Sequence, residues 1–126
     1  MIIVDTSALM AIILGEAEAL RCRTTLMAAD DALISAATLA ETLIVARRRG
    51  KAAQMDDLLG DTQLHIVSVT EAFARRVADA YDKWGKGVHP AALNLADCFA
   101  YALAIERACP LLFVGDDFSR TDVISA

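Results

Sequence analysis

The chain alternates short apolar runs with longer stretches of helical period. Met1 to Asp5 (MIIVD) is a β-branched run that predicts a strand, and Thr6 to Leu14 is helical up to a stop at Gly15. Glu16 to Ala29 follows as an amphipathic helix with Leu20, Cys22 and Leu26 among its apolar positions. After Asp30 and Asp31, ALIS predicts a second strand, and Ser35 an N-cap for a helix from Ala36 to Arg49 closed by Gly50. Lys51 to Leu59 predicts a short helix, Leu64 to Val69 (LHIVSV) a third strand, and Thr70 the cap of a helix reaching about Trp84. GKGVHP, residues 85–90, is the one clear loop, and the stretch ALNLADCFAYALAIE then predicts a buried helix to about Ala108. Leu111 to Val114 (LLFV) predicts a fourth strand and Asp122 to Ile124 a short last one.

Strands separated by helices predict βαβ units and a mainly parallel central sheet covered on both faces. In open sheets of this kind, sites lie at the carboxyl ends of the strands. The residues just beyond each strand therefore carry the functional question.

Composition narrows the setting. With 126 residues and 56% hydrophobic side chains, the chain is expected to form one domain, residues 1–126, around a large core. No apolar run reads as a membrane span of about 18 residues; the most apolar region contains Pro90 and the acid Asp97. The opening MIIVDTSALM lacks a basic leader and carries an early acid, so it reads as a strand rather than a signal peptide. Cys22, Cys98 and Cys109 are odd in number and show no paired metal spacing, which predicts core thiols in a reduced, cytoplasmic compartment.

A net charge of −5 excludes a global basic field for nucleic acid, so such a partner must be held locally or through metal. The one dense basic patch is Arg47, Arg48, Arg49 and Lys51. It reads either as a charge complement to a helix C-terminus or as a phosphate contact.

Asp97 is the anomaly that points to chemistry. It is the only charged side chain between Val88 and Ile105, with Leu93, Asn94, Ala100 and Tyr101 as helical neighbours. Glu41 repeats the pattern among Ala37, Thr38, Ile44 and Val45. Asp5 ends the first strand, followed by Thr6 and Ser7, and Asp116 and Asp117 follow the fourth.

Each acid has a plain structural reading. Asp5 can cap the first helix, Glu41 can pair with Arg47, Asp97 can accept from Tyr101 or a backbone amide, and Asp116–Asp117 can form a solvated turn. Brought together they would repel one another and raise carboxylate pKa values. A divalent cation removes that conflict, and an oxygen-only donor set suits Mg²⁺ or Mn²⁺.

The segments MIIVDTSALMAIILGEAEA, ISAATLAETLIVARRRG, KGVHPAALNLADCFAYALA and PLLFVGDDFSRTDV resemble the four blocks of PIN-domain ribonucleases. They resemble most specifically the VapC-type toxins of type II toxin–antitoxin pairs. The resemblance covers nearly the whole chain in the right order. It implies a three-layer α/β/α sandwich with Asp5, Glu41 and Asp97 as the core acids and Asp117 as the fourth, with Asp116 its alternate. Asp122, in the TDV tail, also matches, and reads first as a local anchor.

Thr6 and Ser7 match hydroxyl positions beside the first acid, where they would orient a water or Asp5 itself. The resemblance further implies an Mg²⁺-dependent endoribonuclease toxin of the cytoplasm, a homodimer, inhibited by a VapB-type antitoxin. The antitoxin tail would lie over Leu9, Met10, Ile12, Ile13 and the following helix.

Two other readings share these features. One is a housekeeping PIN nuclease without an antitoxin. The other, from a different class, is a receiver-like acidic regulatory module. A receiver needs a phospho-acceptor at the end of a middle strand, and LHIVSV ends without an acid.

Overall fold

The computed structural model describes residues 1–126. The elements are β1 (Ile2–Val4), α1 (Thr6–Leu14), α2 (Ala19–Ala28), β2 (Ala32–Ser35), α3 (Ala36–Arg48) and α4 (Ala52–Thr62), followed by β3 (His65–Val67), α5 (Glu71–Trp84), α6 (Leu95–Arg107) and β4 (Leu111–Leu112). The four strands form one sheet in the order β3-β2-β1-β4, and every pairing is parallel. Ile3 stands opposite both Leu33 and Leu111, which fixes the register of the central strand.

Alternation along β1 sends Ile2 and Val4 into one core and Ile3 into the other. The first core packs β1 and β2 against α1, α2 and α4, through Leu9, Cys22, Met55 and Leu58. The second packs Ile3, Leu33 and Leu111 against α5 and α6, through Phe73, Val77 and Leu103. Two cores on opposite faces of one sheet make the three-layer α/β/α arrangement. Burying each of these aliphatic side chains is worth about 1.5–3 kcal/mol, so the layers are held mainly by apolar contact.

The element pattern follows local signals. Gly15 stops α1 in the left-handed conformation at φ +64°, where its N–H reaches the Ala11 and Ile12 carbonyls. Ser35 caps α3 by accepting from Ala37 N at 3.3 Å, and Thr70 caps α5 by accepting from Phe73 N at 3.1 Å. α3 packs against α1 on one side and α6 on the other, so it joins the two helical layers.

Several boundaries differ from the sequence reading. The helix expected over Glu16–Ala29 begins at Ala19, because residues 16–18 form a turn. The third strand narrows to His65–Val67 at the sheet edge, and the fourth to Leu111–Leu112. In place of a final strand over Asp122–Ile124 there is a single parallel bridge between Leu111 and Ser125. The helix expected through residues 92–106 starts only at Leu95. Ala92 takes a left-handed φ of +52°, and Leu93 is held in a bridge to Gly85, which keeps this stretch out of the helix.

Candidate active site

The chain order reverses beside β1, with β2 on one side and β4 on the other. Parallel sheets place ligands at such a switch point, beyond the carboxyl ends of the two strands. Asp5 follows β1 at this place, and the turn bearing Asp116 and Asp117 follows β4.

Asp5 is 5% exposed and serves as the N-cap of α1. Its Oδ2 accepts from Ser7 N at 3.0 Å and from Ser7 Oγ at 2.6 Å. Ser7 Oγ in turn accepts from Val114 N at 3.0 Å, which ties the end of β1 to the segment after β4. Burial pushes the Asp5 carboxyl up, the Ser7 donors pull it back, and Glu41 adds to the rise.

Asp97 lies in the first turn of α6. Asn94 caps that helix by accepting from Asp97 N at 2.8 Å, and Asp97 Oδ2 accepts from Asn94 N at 3.1 Å. This reciprocal capping box satisfies two orphan amides and places the carboxylate at a helix N-terminus, where the dipole favours negative charge. Even so, burial pushes Asp97 up to about 7, with Asp117, Asp5 and Glu41 contributing to the rise and the Asn94 amide opposing it. Burial and like charge together outweigh the cap.

Glu41 reaches the same place from α3, half-buried, and acts on both Asp5 and Asp97. It forms no ion pair with Arg47. The structure thus brings Asp5, Glu41 and Asp117 within electrostatic reach of Asp97, and Glu41 within reach of Asp5. Asp116 is not among the charges acting on Asp97; it lines a separate hollow with Glu18 and Arg21. Its carbonyl accepts from Ser119 N and Oγ, so its main-chain role is to hold the turn.

Three side chains do something other than their sequence reading. Thr6 does not face Asp5: its Oγ1 lies 2.8 Å from Thr42 Oγ1 and donates toward the Thr38 carbonyl at 3.3 Å, joining α1 to α3. Tyr101 donates at 2.6 Å to Asp122 Oδ1, not to Asp97, and receives the Trp84 indole N–H at 2.8 Å. Asp122, with Lys83 Nζ at 3.8 Å, is an anchor for the C-terminal segment. Leu9 and Met10 are buried in the core and do not line a surface groove, whereas Ile12 and Ile13 line one with Leu58, Arg23 and Gln54.

Asn94 and Thr42 were overlooked as candidates. The Asn-x-x-Asp spacing of residues 94–97 is a readable capping box. Thr42 carried no signal beyond its place next to Glu41.

The donor set fits a hard divalent cation. All four groups are carboxylates, and neither Asp5 Oδ1 nor Asp97 Oδ1 is engaged by a protein hydrogen bond. No three acidic, histidine or cysteine side chains stand close enough together to hold a metal ion as placed, so the fit lies in the chemistry of the donors and not in their spacing. Asp5, Glu41 and Asp117 act on Asp97 as repelling charges.

A parallel α/β/α sandwich with acids gathered at the β1–β4 switch point defines the class, and the comparisons agree. A family profile described as PIN domain matches residues 2–124, and the chain belongs to that family. It is 40% identical over 125 residues to Ribonuclease VapC42 of Mycobacterium tuberculosis, covering 96% of this chain and 95% of the relative. It is 41% identical over 125 residues to Ribonuclease VapC28 of the same species, covering 96% and 94%.

Among solved structures, Mycobacterium tuberculosis VapC20, described as a Sarcin-Ricin loop cleaving toxin, superposes with a TM-score of 0.80 at 17% identity, covering 100% of this chain and 98% of that one. The toxin-antitoxin complex from Klebsiella pneumoniae gives 0.74 at 19%, covering 100% and 97%. VapBC2 from Rickettsia felis, bound to a DNA fragment from its promoter, gives 0.73 at 18%, covering 100% and 98%. These three likenesses concern the fold.

Proposed function

We propose that this chain is a VapC-type toxin, a metal-dependent endoribonuclease that hydrolyses RNA phosphodiester bonds and is restrained by a cognate VapB-type antitoxin. The observation that carries this reading is a part-buried Asp97 on which Asp117, Asp5 and Glu41 all act as like charges, adding to a rise to about 7 that burial begins. The names of its relatives, both ribonucleases at about 40% identity, support the same reaction class.

Asp5 and Asp97 would hold the cation, Mg²⁺ with Mn²⁺ as substitute, and Glu41 and Asp117 would add further carboxylate oxygens. Such an ion, when bound, supplies neutralisation of phosphate charge and acidification of a water. Ser7 fixes Asp5 through Oδ2, leaving Oδ1 without a hydrogen-bond partner. Asn94 fixes Asp97 through Oδ2 in the same manner. Asp117, exposed on the turn after β4, stands on the open side where a phosphodiester enters and orients the attacking water.

Water attack at phosphorus forms a new P–O bond as the bond to the 3′ oxygen breaks, giving a 5′-phosphate and a 3′-hydroxyl. The 2′-hydroxyl takes no part, so preference for RNA rests on shape and 2′-OH contacts. We place the activity in the cytoplasm and the chain in a homodimer. The antitoxin tail is assigned to the groove beside Ile13 and Leu58.

The test is a cleavage assay on stem-loop RNA with the parent and Glu41→Gln. The parent is expected to produce 5′-phosphorylated ends and the variant none. Equal cleavage by both overturns the reading.

A further inference from the structure

We infer that Thr42 and Thr6 are positioning residues, and that their hydroxyl pair sets where Glu41 stands relative to Asp5. This rests on the reading that the acids form the active site. Thr6 directly follows Asp5 at the start of α1, and Thr42 directly follows Glu41 on α3. The two catalytic carboxylates are therefore each one residue from a side chain that bonds the other's helix.

The pair is sealed from solvent. Thr6 is 7% exposed, Thr38 1% and Thr42 0%. Thr42 Oγ1 donates to the Thr38 carbonyl at 2.9 Å, back along its own helix. With that proton committed, Thr42 Oγ1 is the acceptor for Thr6 Oγ1 at 2.8 Å, and the Thr38 carbonyl at 3.3 Å is a second acceptor for the same hydroxyl. These are the only side-chain hydrogen bonds between α1 and α3. Apolar packing restrains two helices through the shape of their side chains, and a short directional bond adds a restraint on axial slide and rotation at one point. A slide of α3 along α1 would carry Glu41 away from Asp5.

The arrangement also explains why hydroxyls stand in an apolar interface. Thr38 Oγ1 has no hydrogen-bond partner, so this face tolerates an unsatisfied polar atom. A plain packing interface between α1 and α3 would be served by valine.

The experiment measures Mn²⁺ binding by calorimetry, melting temperature, and kcat and KM for stem-loop RNA. The variants are Thr6→Val, Thr42→Val, the double variant and the serine variants. Thr6→Val removes both contacts, and is expected to weaken Mn²⁺ binding and lower kcat by about tenfold, the scale seen when a residue orienting a metal ligand is lost. KM is expected to stay within about twofold. Thr42→Val, which leaves Thr6 the Thr38 carbonyl, is expected to move both quantities in the same direction by less. Thr6→Ser and Thr42→Ser keep the hydroxyl and are expected to recover the parent values.

The double variant is expected to be no worse than Thr6→Val, because both remove one interaction. Where valine unfolds the chain, Thr42→Cys carries the same comparison with a weak acceptor for Thr6 in place of a strong one. Valine variants that bind Mn²⁺ as the parent does, serine variants as impaired as valine, or losses that add in the double variant overturn the inference. A parent that neither binds Mn²⁺ nor cleaves RNA overturns the active-site reading and this inference with it. A fully active parent with unaffected valine variants overturns this inference alone.

Discussion

Ser7 Oγ donates to Asp5 Oδ2 at 2.6 Å, and the same oxygen accepts the Val114 amide at 3.0 Å. One hydroxyl thereby aims the first acid and joins β1 to the segment that leads into Asp117. Ser7→Ala leaves Val114 N without its acceptor and frees Asp5 to rotate. Stability is expected to fall by about 1–3 kcal/mol, the penalty of an unpaired buried donor. Cleavage is expected to fall by about 10–100-fold. Thermal melting and a single-turnover assay check both, and a variant with parent activity would remove Ser7 from the site.

Asp97→Asn has a pH signature. In the folded parent the group is pushed up from 3.8 to about 7. Between these values the folded state holds a proton that the unfolded chain has lost. Stability from this group therefore falls as pH rises from about 4 to 7 and levels off above. Asparagine keeps an acceptor for Asn94 N and carries no charge. Without metal, the variant is expected to match or exceed the parent's melting temperature at pH 8, with the difference shrinking towards pH 5. A variant that melts well below the parent at pH 8 would make Asp97 a structural acid.

Chelation is expected to abolish cleavage, and Mg²⁺ or Mn²⁺ to restore it, with Zn²⁺ much less effective because every donor is a carboxylate. The parent is expected to gain about 2.7 kcal/mol of stability at a metal concentration one hundred times Kd. Undiminished cleavage in EDTA would refute the metal mechanism.

The two adjacent acids after β4 are separable. Asp117→Asn is expected to lose more than about 100-fold in kcat, as for other charge-stabilising groups. Asp116→Asn, on the side of Arg21, is expected to stay near the parent. Rates for the two variants under matched Mg²⁺ check this, and the reverse order would exchange their roles.

Thr38→Val is expected to stabilise the chain. It removes a buried hydroxyl that has no partner and leaves the Thr38 carbonyl in place for Thr42 and Thr6. A gain of about 1 kcal/mol is the natural scale. Denaturant midpoints at constant m-value measure it.

Much of this protein was written locally. The helix of Thr6–Leu14 with its stop at Gly15, the strand ALIS followed by the Ser35 cap, and the Thr70 cap before α5 all stand where their short-range signals put them. Caps and periodicity act within a turn or two, so sequence alone determines them. The acids were conspicuous for the same reason: a charge among apolar helical neighbours is anomalous before any fold is known.

Tertiary structure decided the rest. The bridge from Gly85 to Leu93, with Ala92 at φ +52°, holds residues 92 and 93 outside α6, so that Asn94 caps the helix and Asp97 stands in its first turn. Asp116 and Asp117 are chemically identical neighbours, and only the path of the turn after β4 sends one towards Asp97 and the other towards Arg21. Thr6 and Ser7 are adjacent hydroxyls beside the same acid, yet one bonds Asp5 and the other bonds Thr42. Successive side chains on a helix point about 100° apart. Which partner each meets depends on the helix packed opposite, and that is a property of the whole fold.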